Sequence, residues 1–319
     1  MRKTTRLVAI LVCVLLTVCV TGAFAGGGKE SSSGGAKTLR IAVILKTLSS
    51  PYWQTVLGGA KDAGKAFGVE ISEFGPPTED GVEEQVNMVQ NAIQNKFDAI
   101  VFSPCQPPAA IAVLNQAKAA GIPVVVIDTP MPDDYSTDNY VTYIGSNNYQ
   151  IGVMGAKEML KVLPKGGKVL VLEGAPGNPS MTQRADGAEK TLKDAGITIV
   201  DRQPAYSDRE RAYQVMQNVL QNTDVDGVWG SNDDQAEGAL RALTQKGKKA
   251  YVVGVDGNTS AKESVRDGGL FATVAQSADQ MGYLGVQYAI DAVNGKAVNK
   301  KIDAPTPVIT KDNVAQYLK

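Results

Sequence analysis

The chain contains no histidine. That absence removes Ser-His-Asp and Cys-His nucleophile systems, HExxH zinc sites and most histidine-tuned general acid-base chemistry, so any catalysis would have to run on carboxylates or lysines. Cysteine is scarce as well. Of the 3 present, Cys13 and Cys19 lie in an N-terminal apolar stretch, which leaves Cys105 unpartnered and predicts a mature fold without an intramolecular disulfide. Cys105 reads as a small buried hydrophobe rather than a reactive thiol. An excess of charge of either sign is also missing: 32 Lys and Arg stand against 33 Asp and Glu, a net charge of -1. The chain therefore lacks the basic surplus of a nucleic-acid binder and the acidic surplus of a solvating tail. Finally, no apolar run reaches the roughly 20 residues of a membrane-spanning helix; the longest, Leu7 to Val20, falls short.

What is present is a globular composition, 43% hydrophobic over 319 residues, enough for two domains with proper cores. Residues 1–25 have the order of a secretory signal: Arg2, Lys3 and Arg6 as the charged start, Leu7 to Val20 as the apolar segment, and Ala23-Phe24-Ala25 as a small-residue cleavage site. Soluble export to a periplasmic or extracytoplasmic space follows. Lipid attachment at Cys19 is the competing reading, against which stands Val18, where a lipobox wants a small residue. Residues 26–38, beginning "GGGKESSSGGAK", read as a flexible low-complexity linker.

From Leu39 onward one alternation repeats: a short β-branched run, a turn, then a helical pattern. Candidate strands are Leu39-Leu45, Val69-Phe74, Ala99-Phe102, Pro123-Ile127, Val141-Ile144, Lys168-Leu172, Thr198-Val200, Gly227-Trp229, Tyr251-Val255 and Ala272-Ala275. Helical patterns lie between them, among them Gln54-Phe67, Gly152-Leu163, Gln183-Ala195 and Gln235-Thr244. Near-continuous apolar strands alternating with helices predict parallel sheets covered on both faces. The strands divide around Gly145 to Asn148 into two similar sets, so the expected fold is α/β with two Rossmann-like lobes.

Chemistry-bearing residues fall just after these strands, and in open parallel sheets ligands bind outside the carboxyl ends. Lys46, Ser50, Tyr52 and Trp53 follow the first strand, and Asp128 and Thr129 the fourth. Tyr206, Asn232, Asp256 and Gln276 follow strands of the second set, and Arg184 opens a helix there. Each has a bland reading alone: Tyr52-Trp53 as the apolar start of a core helix, Asp256-Gly257-Asn258 as turn chemistry, Arg184 as a solvated helix charge. Their shared placement favours one cleft. Carboxylates accept from vicinal hydroxyls, amides and guanidinium donate in a plane, and aromatic rings cover the apolar faces of a pyranose or cyclitol. The inventory suits a neutral polyhydroxylated ring.

Near misses are set aside on physical grounds. Gly59 to Lys65 fits GxxxxGK, but Ala66 holds the Ser/Thr position and the segment reads as mid-helix. Asp224-Val225-Asp226-Gly227 resembles part of a calcium loop but lacks the downstream glutamate. Asp128 and Asp256 could be imagined as a glycosidase pair, yet nothing in the sequence requires it. No cofactor, no metal and no catalytic residue is expected.

Seven segments in order now carry a family resemblance: "LKTLSSPYW", "VVIDTP", "GNPSMTQRADG", "AYSDRERAYQVMQNVL", "WGSNDDQAEGALRAL", "VVGVDGN" and "ATVAQSADQMG". They resemble the periplasmic sugar-binding proteins of the ribose and allose type, solute-binding components of ABC importers with the type I periplasmic binding fold, over Leu39 to the C-terminus. The resemblance implies two lobes joined by a three-segment hinge, one made of residues 39–145 and 277–305, the other of 146–276 and 306–319. It implies Ser50, Tyr52, Trp53 and Asp128 on one wall, and Arg184, Tyr206, Asn232, Asp256 and Gln276 on the other, with Trp53 and Tyr206 facing each other across the ring. It further implies a monomer that delivers a sugar or polyol to importer membrane subunits after hinge closure, with a chemotaxis receptor as a further partner of such proteins and no nucleic acid. Two departures bear on the ligand: Thr129 stands where ribose binders carry arginine, and Lys46 matches allose binders. An allose-like hexose leads, then inositol or another polyol, then ribose. The alternatives are a nucleoside or furanone signal on the same scaffold, a sugar-processing enzyme, and a sugar-responsive repressor, whose DNA-binding helices would stand where the signal and linker stand here.

Overall fold

The computed structural model describes residues 38–318. The expected signal, almost all of the linker and Cys19 lie outside the described residues.

Two six-stranded sheets organise the chain. The first contains β1 (Arg40–Ile44), β2 (Glu70–Phe74), β3 (Ala99–Phe102), β4 (Val124–Ile127), β5 (Tyr143–Gly145) and β11 (Lys301–Asp303), ordered β11-β5-β4-β3-β1-β2. The second contains β6 (Lys168–Glu173), β7 (Thr198–Pro204), β8 (Gly227–Gly230), β9 (Tyr251–Asp256), β10 (Ala272–Ala275) and β12 (Val308–Thr310), ordered β12-β10-β9-β8-β6-β7. The orders match position for position, so β4 and β9 are counterparts. All pairings are parallel except that of β10 with β12. Strands such as β3 (AIVF) and β4 (VVVI) are buried along their whole length, which is what a sheet covered on both faces requires.

The helices are α1 (Pro51–Phe67), α2 (Val82–Gln94), α3 (Pro107–Ala119), α4 (Asn148–Met159), α5 (Pro179–Asp194), α6 (Arg209–Val219), α7 (Asp233–Gln245), α8 (Thr259–Asp267) and α9 (Ala278–Val293). Several begin before their apolar periodicity does. Pro51 opens α1 and Pro179 opens α5, each with a preset helical φ at a position needing no N–H partner. Asn147, Asn178 and Asn232 accept first-turn N–H groups through their side chains. Tyr52 and Trp53 consequently sit in the first turn of α1 rather than in a loop before Gln54.

Helix α9 crosses back to pack on α1, β3 and β4 of the first lobe. Gly59 and Gly282 permit that approach, because a Cβ on either would run into the facing helix backbone. The GxxxxGK stretch is therefore a helix-packing surface. The chain passes between the sheets after β5, after β10 and after β11. Helix α8 and strands β11 and β12 lack strong sequence patterns. Only Ala261 and Val265 are buried in α8, and each of the two strands has three residues.

Candidate functional site

Both strand-end aspartates have unusual backbones. Asp128, just past β4, has φ 61°, and Asp256, the last residue of β9, has φ 120°; both lie in a region that L-residues rarely adopt. Neighbouring groups hold them there. The Tyr143 hydroxyl donates to the Asp128 carbonyl at 2.8 Å. Beyond Asp256, the Gly257 N–H donates to Thr273 Oγ1 at 3.2 Å, Thr273 donates to Asp233 Oδ1 at 2.7 Å, and the Asn258 N–H donates to Asp233 Oδ2 at 2.8 Å.

On the first wall Asp128 is surrounded by donors. Tyr52 OH donates to Oδ1 and Thr129 Oγ1 to Oδ2, each at 2.8 Å, and Lys46 Nζ lies 3.4 Å from Oδ2. Burial works to raise the Asp128 carboxyl, but the Lys46 and Arg184 charges and these hydroxyls overcome it and hold the group below its usual value. The Lys46 ammonium is fully buried, lies 5.6 Å from the Trp53 ring centre, and forms an ion pair without hydrogen-bond geometry. Trp53 stands edge-on to Tyr52, and its Nε1 donates to Glu79 Oε1 at 2.7 Å. Burial raises the Glu79 carboxyl despite Lys46 and that hydrogen bond.

The second wall is built around Arg184, which is 1% exposed. Its Nε donates to Asn148 Oδ1 at 2.8 Å and its Nη1 to the Ser231 carbonyl at 3.0 Å, leaving Nη1 3.5 Å from Asp256 Oδ1. Gln276 Nε2 donates to the same oxygen at 2.8 Å. Burial dominates at Asp256 and pushes its carboxyl up to about 8, although Arg184 and Gln276 favour the charged form. Asn232 uses Oδ1 to cap α7 and Nδ2 to reach the Ser207 carbonyl at 3.3 Å.

The walls meet around a narrow chamber, with about 220 Å³ of space between atoms once its open side is included. Ser50, Tyr52, Trp53 and Asp128 line it from one lobe, and Arg184, Asn232, Asp256 and Gln276 from the other. The lobes are in contact: Ser50 Oγ donates to Asp234 Oδ2 at 3.2 Å, Gln106 Nε2 to the Pro176 carbonyl at 3.1 Å, and Arg211 Nη1 to Asp80 Oδ2 at 3.3 Å.

Two expected residues are placed differently. Lys46 stands behind Asp128 and Trp53 rather than in the chamber lining. Tyr206 does not line the chamber opposite Trp53; it sits at the cleft mouth with the Arg211 guanidinium 4.4 Å over its ring. Tyr206 and Ser207 are consecutive residues with φ 57° and 58°, in the left-handed region. Glu79 and Met181 line the chamber without having been anticipated. Glu79 follows the carboxyl end of β2, so the strand-end rule applied to that strand points to it; Met181 carries no comparable signal. Asp226, from the calcium-like stretch, instead accepts the Lys168 N–H at 2.8 Å, a turn role. Among the described residues no group of three or more His, Cys, Asp or Glu is arranged to hold a metal ion, and no helix is long and apolar enough to cross a membrane.

Comparison with known proteins adds four findings. A family model described as a periplasmic binding protein domain matches residues 41–297. The chain is 32% identical to the ribose import binding protein RbsB of Bacillus subtilis (strain 168), covering 98% of this chain and 100% of that protein. It is 33% identical to the D-allose-binding periplasmic protein of Escherichia coli (strain K12), over 85% of this chain and 90% of that one. Among solved structures, an ABC transporter periplasmic solute-binding protein from Actinobacillus succinogenes 130z with bound D-allose superposes with a TM-score of 0.83 at 29% identity, covering 88% of this chain and all of the other.

Proposed function

The chain belongs to the periplasmic binding protein family, and from that premise we propose that it is the extracytoplasmic solute receptor of an ABC importer, closing its lobes on a neutral sugar ring. The observation that carries this reading is the meeting of Asp128 and Asp256, one from each lobe, at a single closed chamber with Arg184, Asn232 and Gln276. Only a ligand with hydroxyls on opposite edges engages both carboxylates at once, and only the closed form satisfies both sets of bonds, so binding selects closure. Importer membrane subunits then recognise the paired surfaces of a closed monomer. An allose-like hexose is the favoured ligand because Lys46 stands where allose binders carry lysine and Thr129 where ribose binders carry arginine, followed by inositol or another polyol and then ribose.

The lobes run over residues 39–145 with 277–305, and 146–276 with 306–319. Pairing of β11 with β5 and of β12 with β10 supports this division. Calorimetric titration of ligand-stripped mature protein with D-allose, D-ribose, D-glucose, D-psicose, myo-inositol and adenosine tests the function. Micromolar or tighter binding of one sugar, about -8 kcal/mol or better, is the expected result. Silence across the panel from folded protein, or tight binding of adenosine alone, would overturn it.

A further inference from the structure

Asp233 is the first residue of α7 and is fully buried, yet it does not line the chamber. Both its oxygens serve the segment that follows Asp256. Oδ2 accepts the Asn258 N–H at 2.8 Å, and Oδ1 accepts the Thr273 hydroxyl at 2.7 Å, whose oxygen in turn accepts the Gly257 N–H at 3.2 Å. The two backbone donors after Asp256 therefore end on Asp233, one directly and one through a single hydroxyl. The fold leaves room for this, since a Cβ on Gly254 would come within 2.3 Å of Asp233 Oδ1. The first lobe holds its aspartate differently. Strand register makes Tyr143 and Thr273 counterparts, each paired with the residue two before its aspartate. Tyr143 donates straight to the Asp128 carbonyl, whereas Thr273 donates away from the chamber and needs an acceptor behind it. The helix that corresponds to α7 in the first lobe, α3, opens with Pro107, so no carboxylate stands there.

We propose that Asp233 is the positioning residue of the second wall: through Thr273 and the Asn258 N–H it fixes the Asp256 carboxylate for the sugar without touching the sugar itself. The proposal rests on the sugar-receptor reading of the chamber. Asp256 has φ 120°, a conformation that persists only where surrounding bonds impose it. Once Asp233 or the Thr273 hydroxyl is removed, a buried donor loses its acceptor and the segment relaxes to meet another. Gln276 moves with it, because its N–H donates to the Asp256 carbonyl at 3.1 Å and its side chain to Oδ1 at 2.8 Å. Two residues that face the sugar thus depend on one carboxylate that does not.

The test is calorimetric titration of mature protein and its variants with D-allose, D-ribose, D-glucose, D-psicose and myo-inositol, with urea unfolding measured alongside. Thr273→Val keeps the shape and removes the hydroxyl; it should weaken the tightest-binding of these compounds by about tenfold or more, and Thr273→Ser should recover most of the loss. Asp233→Ala should lose at least as much, and adding Thr273→Val to it should cost less than about threefold more, since both break one chain of bonds. Val265→Ala truncates the core of the same lobe under α8, so it should lower the urea midpoint while changing affinity by less than about twofold. Full affinity in folded Thr273→Val and Asp233→Ala would overturn the proposal. So would a serine variant no better than valine, or a loss from Val265→Ala as large as theirs, which would mark a general effect of stability. If Asp233→Ala does not fold, the threonine pair decides. Silence of the folded wild-type protein toward all five compounds overturns the receptor reading, and the role of Asp233 with it, whereas binding by wild type that the variants retain overturns the role alone.

Discussion

Asp128 and Asp256 end counterpart strands of two sheets with matching strand order, each in a positive-φ backbone and each facing the same chamber. Their carboxyls are nevertheless pushed in opposite directions. Burial opposes ionisation at both, but Asp128 has Lys46 at 3.4 Å and two hydroxyl donors, whereas Asp256 has Gln276 and an arginine 3.5 Å away whose other bonds go to Asn148 and Ser231. The difference teaches that the repeated fold supplies position only, and that the neighbours, at Asp128 the Lys46 and Arg184 charges with two hydroxyl donors, set the direction in which each carboxyl is pushed. The charged form is favoured at Asp128, whereas burial disfavours it at Asp256.

The sharpest way to break the pair is at the binding step. Asp256→Ala should leave folding intact but remove about two charge-assisted hydrogen bonds at roughly 1.5–3 kcal/mol each, a loss of roughly 10² to 10⁴-fold in affinity by calorimetry. Unchanged affinity would show that this wall does not hold the ligand. Nearly as large is a stability difference between the two asparagine variants. Asp128→Asn strands a buried Lys46 charge and should destabilise the ligand-free protein by about 3–5 kcal/mol in urea unfolding, most of it recovered by adding Lys46→Met. Asp256→Asn removes a carboxyl that burial disfavours and should be neutral or stabilising. Equal losses from the two would dissolve the asymmetry.

A pH series examines the same contrast without substitution. Asp256, Glu79 and Asp233 all have carboxyls raised mainly by burial. A raised carboxyl binds more protons folded than unfolded, so its stabilising share is full below the unfolded value near 4 and is lost as pH rises through the folded one. Asp128 is lowered and acts with the opposite sign, its share being lost only as pH falls through the folded value. Ligand-free protein should therefore lose stability between about pH 4 and 8, by about 1.4 kcal/mol per pH unit for each net proton. Asp256→Asn should flatten the slope. Stability that rises across this window would mean that the second wall is already charged.

How far the sequence reveals this arrangement depends on which force sets each part. Runs such as AIVF and VVVI are buried on both faces, so hydrophobicity alone marks β3 and β4, and the aspartates after β4 and β9 follow from where parallel strands end. Elements held by few buried side chains, such as α8 with Ala261 and Val265, leave little pattern. The placement of Tyr206 at the cleft mouth rather than in the chamber lining is harder still. Two consecutive left-handed residues without glycine or asparagine are imposed by tertiary contacts, and no local preference announces them. The opposed ionisation of Asp128 and Asp256 is likewise a property of neighbours from other strands and helices, although Lys46 marks its origin.

The smallest expected effect comes from the cleft mouth, where charges also join the lobes but water reaches them. Arg211 and Asp80 are 44% and 36% exposed and 3.3 Å apart, and the Asp80 carboxyl is lowered first by its hydrogen bond from Thr78 and further by Arg211. Exposed pairs contribute about 0.2–1 kcal/mol because solvent screens them and both side chains lose freedom. Arg211→Ala should therefore weaken capture of a single-ring sugar by no more than about fivefold, with the loss shrinking further at 1 M salt. A hundredfold loss would place the determinant of closure at the mouth rather than at the buried carboxylates, and the contrast between Asp128 and Asp256 would then describe the walls without explaining capture.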